Sequence, residues 1–262
     1  NDKAGEEPLK VDRRIIDLLQ FAKDVYNKTD GKVNVALGSV LSIWHHYREM
    51  GIQDPKNAKL PPMDLLKEAA QHTDINKVII NEQASTVFLE DSEMSLDVGA
   101  IAKGYAVEQV SRRAIKRGFI SGLISVGGNV KVIGRKNPNG EPWNVGIQNP
   151  ESSGEKSNLH IVHLIDQSLV TSGNYSRYYT VNGKEYHHII NPETLYPAEY
   201  FTAITIICED AGEADILSTA VYNMPLQEGL TLIENLSDTE AFWLLPNGEQ
   251  KFSSGFQDLL AE

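Results

Sequence analysis

The sequence predicts an α+β fold, with mixed and antiparallel sheets flanked by helices, in one compact domain that leaves room for two lobes. Three observations carry that prediction. Helical periodicities and short β-branched runs are interspersed along the chain rather than alternating as regular βαβ units. Asn182-Gly183 lies between Tyr178–Val181 and Lys184–His187, a strong local signal for an antiparallel hairpin. Finally, no repeat, low-complexity tract or linker interrupts residues 12–262, whereas residues 1–11 open on polar residues and are expected to be a disordered or trimmed end.

Taken in order, Ile15, Ile16, Leu18, Leu19, Ala22, Val25 and Tyr26 recur at helical spacing and predict a helix over 12–27, closed by the turn residues Thr29-Asp30-Gly31. A second helix should carry Leu37, Val40, Leu41, Ile43 and Trp44, with Trp44 read either as a core aromatic or as a ring that stacks on a ligand. Pro61-Pro62 starts a third, running to about Gln71. Val78–Ile80 and Thr86–Leu89 read as a hairpin that feeds a strand ending near Leu96.

Asp97-Val98-Gly99 then turns the chain into a helix, predicted from Ala102, Ala106, Val110 and Ala114 at every fourth position with Ile101 and Tyr105 beside them, and stopped by Gly118. Its N-terminus offers unpaired N–H groups and the positive end of the helix dipole, a natural site for an anion such as phosphate. Such a turn is also an ordinary connector.

Leu123–Val126 and Val130–Ile133 predict strands joined by Gly127-Gly128-Asn129, which is either a plain hairpin tip or a place where backbone approaches a ligand. Strands follow at Trp143–Ile147, Ile161–Ile165 and Ser168–Thr171, and Thr171-Ser172-Gly173 is a candidate phosphate or oxyanion turn. His187 and His188 alternate across a strand, so one of them should point inward. Phe201–Cys208 reads as a strand buried on both faces. Gly212–Met224 should be a helix with Leu217, Ala220, Val221 and Met224 as its core stripe, and Asp215 and Thr219 aligned one turn apart on another face. A helix over Leu226–Leu236 and a hairpin of Ala241–Leu245 with Gln250–Phe252 complete the reading.

Composition narrows the function. The chain has 262 residues, 41% hydrophobic and 23% charged, as in ordinary globular proteins. A formal net charge of −12 without any basic run argues against nucleic-acid binding, and an anionic substrate would need a metal ion or helix dipoles to offset the field. The single cysteine, Cys208, excludes an intrachain disulfide and reads as a buried, inert thiol. Aligned Asp215 and Thr219 could give two hard oxygen ligands to Mg²⁺. The bland alternative is a solvated Asp and a Thr bonded back to its own helix. His188 is the candidate for acid/base chemistry, against a merely packed histidine.

Five motifs, in order, resemble the ApbE family of flavin transferases: Asp97-Val98-Gly99-Ala100-Ile101-Ala102-Lys103-Gly104-Tyr105-Ala106, Gly127-Gly128-Asn129, Thr171-Ser172-Gly173-Asn174-Tyr175, His188-Ile189-Ile190-Asn191-Pro192-Glu193-Thr194 and Ala214-Asp215-Ile216-Leu217-Ser218-Thr219-Ala220. The resemblance implies a Mg²⁺-dependent enzyme that splits FAD and passes FMN through a phosphoester bond to a Thr or Ser of an acceptor flavoprotein, releasing AMP. An FAD pyrophosphatase that hydrolyses FAD to FMN and AMP, or a non-catalytic flavin carrier, are the alternatives.

By the same resemblance the Ala100 carbonyl and the Asp215 and Thr219 side chains would hold the metal, and His188 would be the catalytic histidine. Asp97, Lys103 and Ile190 would contact the cofactor, as would the Lys32-Val33-Asn34 turn, where the family usually has Asp at the position of Asn34. Asn174 likewise stands where Asp is common. The family commonly works on the extracytoplasmic face of a bacterial membrane or in the periplasm, often as a lipoprotein, so a lipid anchor in a longer form is a further expectation.

Overall fold

A computed structural model describes residues 1–151 and 157–261, which fold into two compact units, each assembled from two stretches of chain. The first comprises Asn1–Ala100 and Ser176–Ala198, the second Ile101–Tyr175 and Glu199 onward.

In the first unit, α1 (Arg13–Lys28) begins at Asp12, whose side chain accepts from Arg14 N–H, and buries Ile16, Leu19, Ala22 and Val25. Asp30 and Gly31 take positive φ in the turn that follows. The chain then enters α2 (Gly38–Gln53) and, after a 3-10 turn, α3 (Met63–Ala70). A small sheet has the order β1 (Leu9–Lys10), β3 (Thr86–Leu89), β2 (Val78–Asn81), all antiparallel.

The opening eleven residues are therefore not disordered. Leu9 pairs with Val87, and the Asn1 side chain brackets Leu96 by accepting from its N–H at 2.8 Å and donating to its carbonyl at 3.1 Å. Nor is there a strand before Asp97: the segment makes one parallel bridge, Leu37 with Ser95, and Asp97 N–H donates to Val35 carbonyl at 2.8 Å. The remaining hairpin, β9 (Tyr178–Val181) with β10 (Lys184–His187), turns at Asn182 and Gly183, both with positive φ. An aromatic and aliphatic core of Leu37, Val40, Trp44, Leu66, Tyr179 and Ile190 holds α2, α3 and this hairpin together.

The second unit is built on an antiparallel sheet of six strands, ordered β13 (Gln250–Phe252), β12 (Glu240–Leu244), β11 (Ala203–Cys208), β8 (Ser168–Gly173), β5 (Asn129–Ile133), β4 (Gly122–Val126). Every residue of β11 is buried. One apolar cluster joins Val132, Leu169, Ala203, Ile207 and Phe242 of this sheet to Val145, Ile147, Val162 and Leu164 of the hairpin β6 (Trp143–Gln148) with β7 (Asn158–Leu164). Packed with the sheet are α4 (Ala102–Lys116) and α5 (Ala211–Tyr222), followed by α6 (Leu226–Glu234). Burial pushes the Cys208 thiol up to about 12, so it stays protonated and unreactive.

The faces of α4 and α5 differ from the sequence reading. On α4 the buried residues are Gly104, Val107, Glu108 and Ser111, while Val110 is half exposed. The close approach of α5 is the reason: a Cβ on Gly104 would stand 2.3 Å from the Ala211 carbonyl oxygen and 2.5 Å from Asp215 Cβ. Small residues thus define the contact, and Glu108 is tolerated there because Ala211 N–H and Arg112 both donate to it. α5 is buried nearly all round, Asp215 and Ser218 included, rather than along one stripe.

Candidate active-site elements

Asp215 is the centre of the second unit's polar constellation. Its residue is 3% exposed, and its Oδ2 accepts from Gly104 N–H at 2.8 Å while Lys103 Nζ stands 3.4 Å from Oδ1. The anion at the start of α4 is thus the protein's own carboxylate, which takes one of the N–H groups that the sequence reading left open for phosphate. Thr219 follows one turn later on α5, and no hydrogen bond among the described residues engages its hydroxyl; only its carbonyl is used, by Asn223. Asp215 is therefore not solvated, and Thr219 does not bond back to its helix.

Oxygen chemistry fits this pair to a hard divalent cation. One deeply placed carboxylate and one uncommitted hydroxyl are the kind of sparse protein ligation that Mg²⁺ accepts, completing its shell with water or phosphate oxygens. No group of three or more His, Cys, Asp or Glu suited to a metal occurs among the described residues. Between β4 and β5, Gly127 and Gly128 form a two-residue turn with positive φ at both, and Lys103 Cδ lies near Gly127. Thr171-Ser172-Gly173 is no turn but the end of β8: Thr171 Oγ1 bonds Thr205 Oγ1 and Ser172 Oγ bonds Ser218 Oγ, each at 2.8 Å. Both hydroxyls serve packing between strand and neighbour.

The first unit holds the remaining candidates. His187 ends β10 and is buried, its Nε2 donating to the Ala198 carbonyl at 2.8 Å. His188 lines a small pocket together with Trp44, His45, Arg48, Tyr179, Tyr186 and His187. Its Nδ1 lies 3.3 Å from the Arg177 carbonyl. A carbonyl can only accept, so Nδ1 carries the hydrogen and Nε2 keeps a lone pair. Burial, then His187 and Arg177, push its pKa down to about 4, which leaves the ring neutral at physiological pH. Burial and Arg48 likewise lower His45.

Trp44 takes the core role. It is buried in the core, donates from Nε1 to the Leu195 carbonyl at 2.9 Å and meets Tyr196 edge-on, yet it also lines the pocket. Asp97 Oδ1 accepts from Gly99 N–H at 2.7 Å, stabilising the turn in which Ala100 lies. Ile190 is buried and bridges to Pro197. Lys32 pairs with Glu193, Val33 is buried, and the Asn34 amide is engaged at both ends: it donates to Thr73 carbonyl and accepts from Ala36 N–H, each at 2.9 Å.

Sequence reasoning missed Gly104 and Glu108, although their spacing with Val107 and Ser111 is itself a helical stripe once small and charged residues are admitted. It also missed His45 and Arg48, which with Leu41 and Trp44 repeat every three to four residues along α2.

The second unit thus offers a buried carboxylate bonded at the start of α4 beside an uncommitted hydroxyl, and the first a neutral histidine at a small pocket, polar chemistry on an α+β scaffold. The comparisons with known proteins make the class specific. The chain matches the sequence model of the ApbE family over residues 1–243. The FAD:protein FMN transferase of Treponema pallidum is 32% identical over 271 aligned residues, covering 98% of this chain and 73% of that protein. That of Klebsiella pneumoniae is 29% identical, covering 97% and 76%. The ApbE protein of Thermotoga maritima superposes with a TM-score of 0.85 at 29% identity, over 100% of this chain and 82% of that one. The flavinyl transferase ApbE of Pseudomonas stutzeri, in its apo form, gives 0.78 at 26%, over 99% and 78%. The chain belongs to the ApbE family.

Proposed function

We propose that this chain is an FAD:protein FMN transferase that works with Mg²⁺, moving FMN from FAD to a Thr or Ser hydroxyl of an acceptor flavoprotein and releasing AMP. The observation that carries the metal part is the Asp215–Thr219 pair, a carboxylate and a hydroxyl one turn apart with oxygens left for a cation. Asp215 and Thr219 would hold the ion, with the Ala100 carbonyl as the third ligand implied by family resemblance. Bound there, Mg²⁺ would offset the charge that builds on the pyrophosphate.

In the reaction the acceptor oxygen attacks the phosphorus on the flavin side, the bond from that phosphorus to the AMP oxygen breaks, and AMP leaves as the phosphate. The hydroxyl proton passes to Nε2 of His188, whose low pKa keeps it unprotonated and ready. Positioning and electrostatics supply most of the acceleration in such a transfer. Asp97, Lys103, Ile190 and the Lys32-Val33-Asn34 turn are proposed contacts to FAD, with Ile190 and Val33 acting through backbone because their side chains are buried. We extend the proposal to an extracytoplasmic setting with a lipid anchor in a longer form; no helix among the described residues is long and apolar enough to cross a membrane.

The test is AMP release from FAD in Mg²⁺, with and without an acceptor flavoprotein, beside an EDTA control and Asp215→Asn. AMP formed only with acceptor, with FMN becoming covalently attached and both abolished by EDTA and by D215N, is the expected result. AMP without acceptor would replace transfer by FAD hydrolysis, and FAD binding without AMP in any condition would leave a flavin carrier.

A further inference from the structure

The two carboxylate oxygens of Asp215 have unequal partners. Oδ2 takes a 2.8 Å bond from Gly104 N–H, a backbone donor fixed in α4, whereas Oδ1 faces the Lys103 ammonium at 3.4 Å. The Lys103 side chain is 38% exposed and that of Asp215 only 4%. A buried carboxylate normally demands a close partner, and a long contact from a flexible, strongly hydrated ammonium satisfies it poorly. The ammonium nevertheless occupies the one carboxylate oxygen that no backbone donor takes, the oxygen left for a divalent cation. Its stem passes the Gly127-Gly128 turn, where a Cβ on Gly127 would be 3.5 Å from Lys103 Cδ, and the side chain's partial exposure leaves the ammonium free to swing into solvent.

We propose that Lys103 is a displaceable counter-ion: it neutralises Asp215 Oδ1 while no divalent cation is bound, and withdraws when a cation takes that oxygen, freeing its ammonium for an anionic group of the nucleotide. This rests on the metal reading above and adds to it a competition between residue and ion. Two consequences follow. Cation affinity in the absence of nucleotide is held down by the intramolecular ammonium. Nucleotide and cation bind with positive coupling, because a phosphate that captures Lys103 removes the competitor, and by linkage each ligand raises the affinity of the other.

A static ion pair predicts otherwise. Removing its lysine would leave Asp215 short of a partner without improving cation binding by competition. The discriminating measurement is Mn²⁺ binding followed by electron paramagnetic resonance, on wild type, Lys103→Met, Lys103→Gln and Lys103→Arg, first without nucleotide and then with saturating ADP. Thermal unfolding in EDTA identifies any variant that fails to fold, and the two neutral variants serve as alternates. K103M or K103Q should bind Mn²⁺ about fivefold or more tightly than wild type without nucleotide, and ADP should then add little, whereas K103R should keep the wild-type coupling. Unchanged or weaker Mn²⁺ binding by a folded neutral variant, with wild type binding normally, overturns the counter-ion role alone. Failure of wild type to bind Mn²⁺ even with saturating ADP overturns the metal reading and this inference with it.

Discussion

The two units carry their polar chemistry in opposite ways. In the second, Asp215 sits inside the contact between α4 and α5, pinned by backbone and surrounded by residues that are also the packing of the unit. In the first, His188 follows the end of a hairpin and lines a small pocket, with its ring bonded to a loop carbonyl. A carboxylate that must hold a cation benefits from rigid, low-dielectric surroundings, but its environment cannot then be altered without altering the fold. A histidine that must receive a proton needs access and a neutral ring. Burial of the ring supplies the neutrality, while the pocket supplies the access.

Gly104→Ala should break the first half of this comparison most severely. The new Cβ would meet a carbonyl oxygen at 2.3 Å and Asp215 Cβ at 2.5 Å, neither of which is the free end of a flexible side chain. Overpacking of this kind should cost about 3 kcal/mol or more and should loosen the N–H bond to Asp215 as well. Denaturant unfolding and Mn²⁺ binding should therefore fall together. A variant as stable as wild type would show that α4 and α5 can separate without loss, and that the rigidity assigned to Asp215 is not a property of this contact.

The same contrast governs what the sequence made legible. Local chemistry was readable: the Asn182-Gly183 hairpin, the Gly118 stop, the buried run of β11, and the alignment of Asp215 with Thr219, all set by residues within a few positions of one another. Long-range chemistry was not. Lys103 and Asp215 are 112 positions apart, and Glu108 reaches Ala211 N–H over 103. Periodicity found α4 but turned it to the wrong face, because apolar Val110 lies outside while Gly104, Glu108 and Ser111 lie inside. Apolar spacing is a guide to a helix's buried side only where apolar burial chooses that side, and here the steric fit of two backbones chooses it. Thr171-Ser172-Gly173 failed for a related reason: its hydroxyls are spent across the strand and onto α5, which no local pattern announces.

His188→Gln tests the second half with a smaller structural disturbance. FMN transfer should fall on the order of 10²-fold or more, while stability near neutral pH changes by less than about 1 kcal/mol. The acid limb of kcat/KM should lie near pH 4 to 5 instead of near the ordinary histidine value, since burial lowers this imidazole to about 4. The sign for stability follows from the same shift: between roughly pH 4 and 6.5 the unfolded chain binds more protons at this ring than the folded one, so wild-type stability rises with pH across that window. H188Q should lose that part of the slope. A limb at 6.5, or equal slopes in the two proteins, would remove the neutral, half-buried imidazole from the account.

Asn34→Asp should give the smallest effect and sharpens the comparison within the first unit. Asn34 donates to Thr73 carbonyl and accepts from Ala36 N–H, so the amide's two ends are matched to two backbone groups of opposite character. A carboxylate can keep the second bond and must lose the first, setting an oxygen against an oxygen. The expected loss is about 1–2 kcal/mol in unfolding free energy, offset in part by a stronger, charge-assisted bond to Ala36. Family resemblance would make Asp the usual residue here, so the substitution also asks whether the position serves FAD or the turn. Tighter FAD binding by N34D, measured by fluorescence titration alongside unfolding, would assign the position to the cofactor; a stability loss with unchanged FAD affinity would assign it to holding the turn that leads into α2.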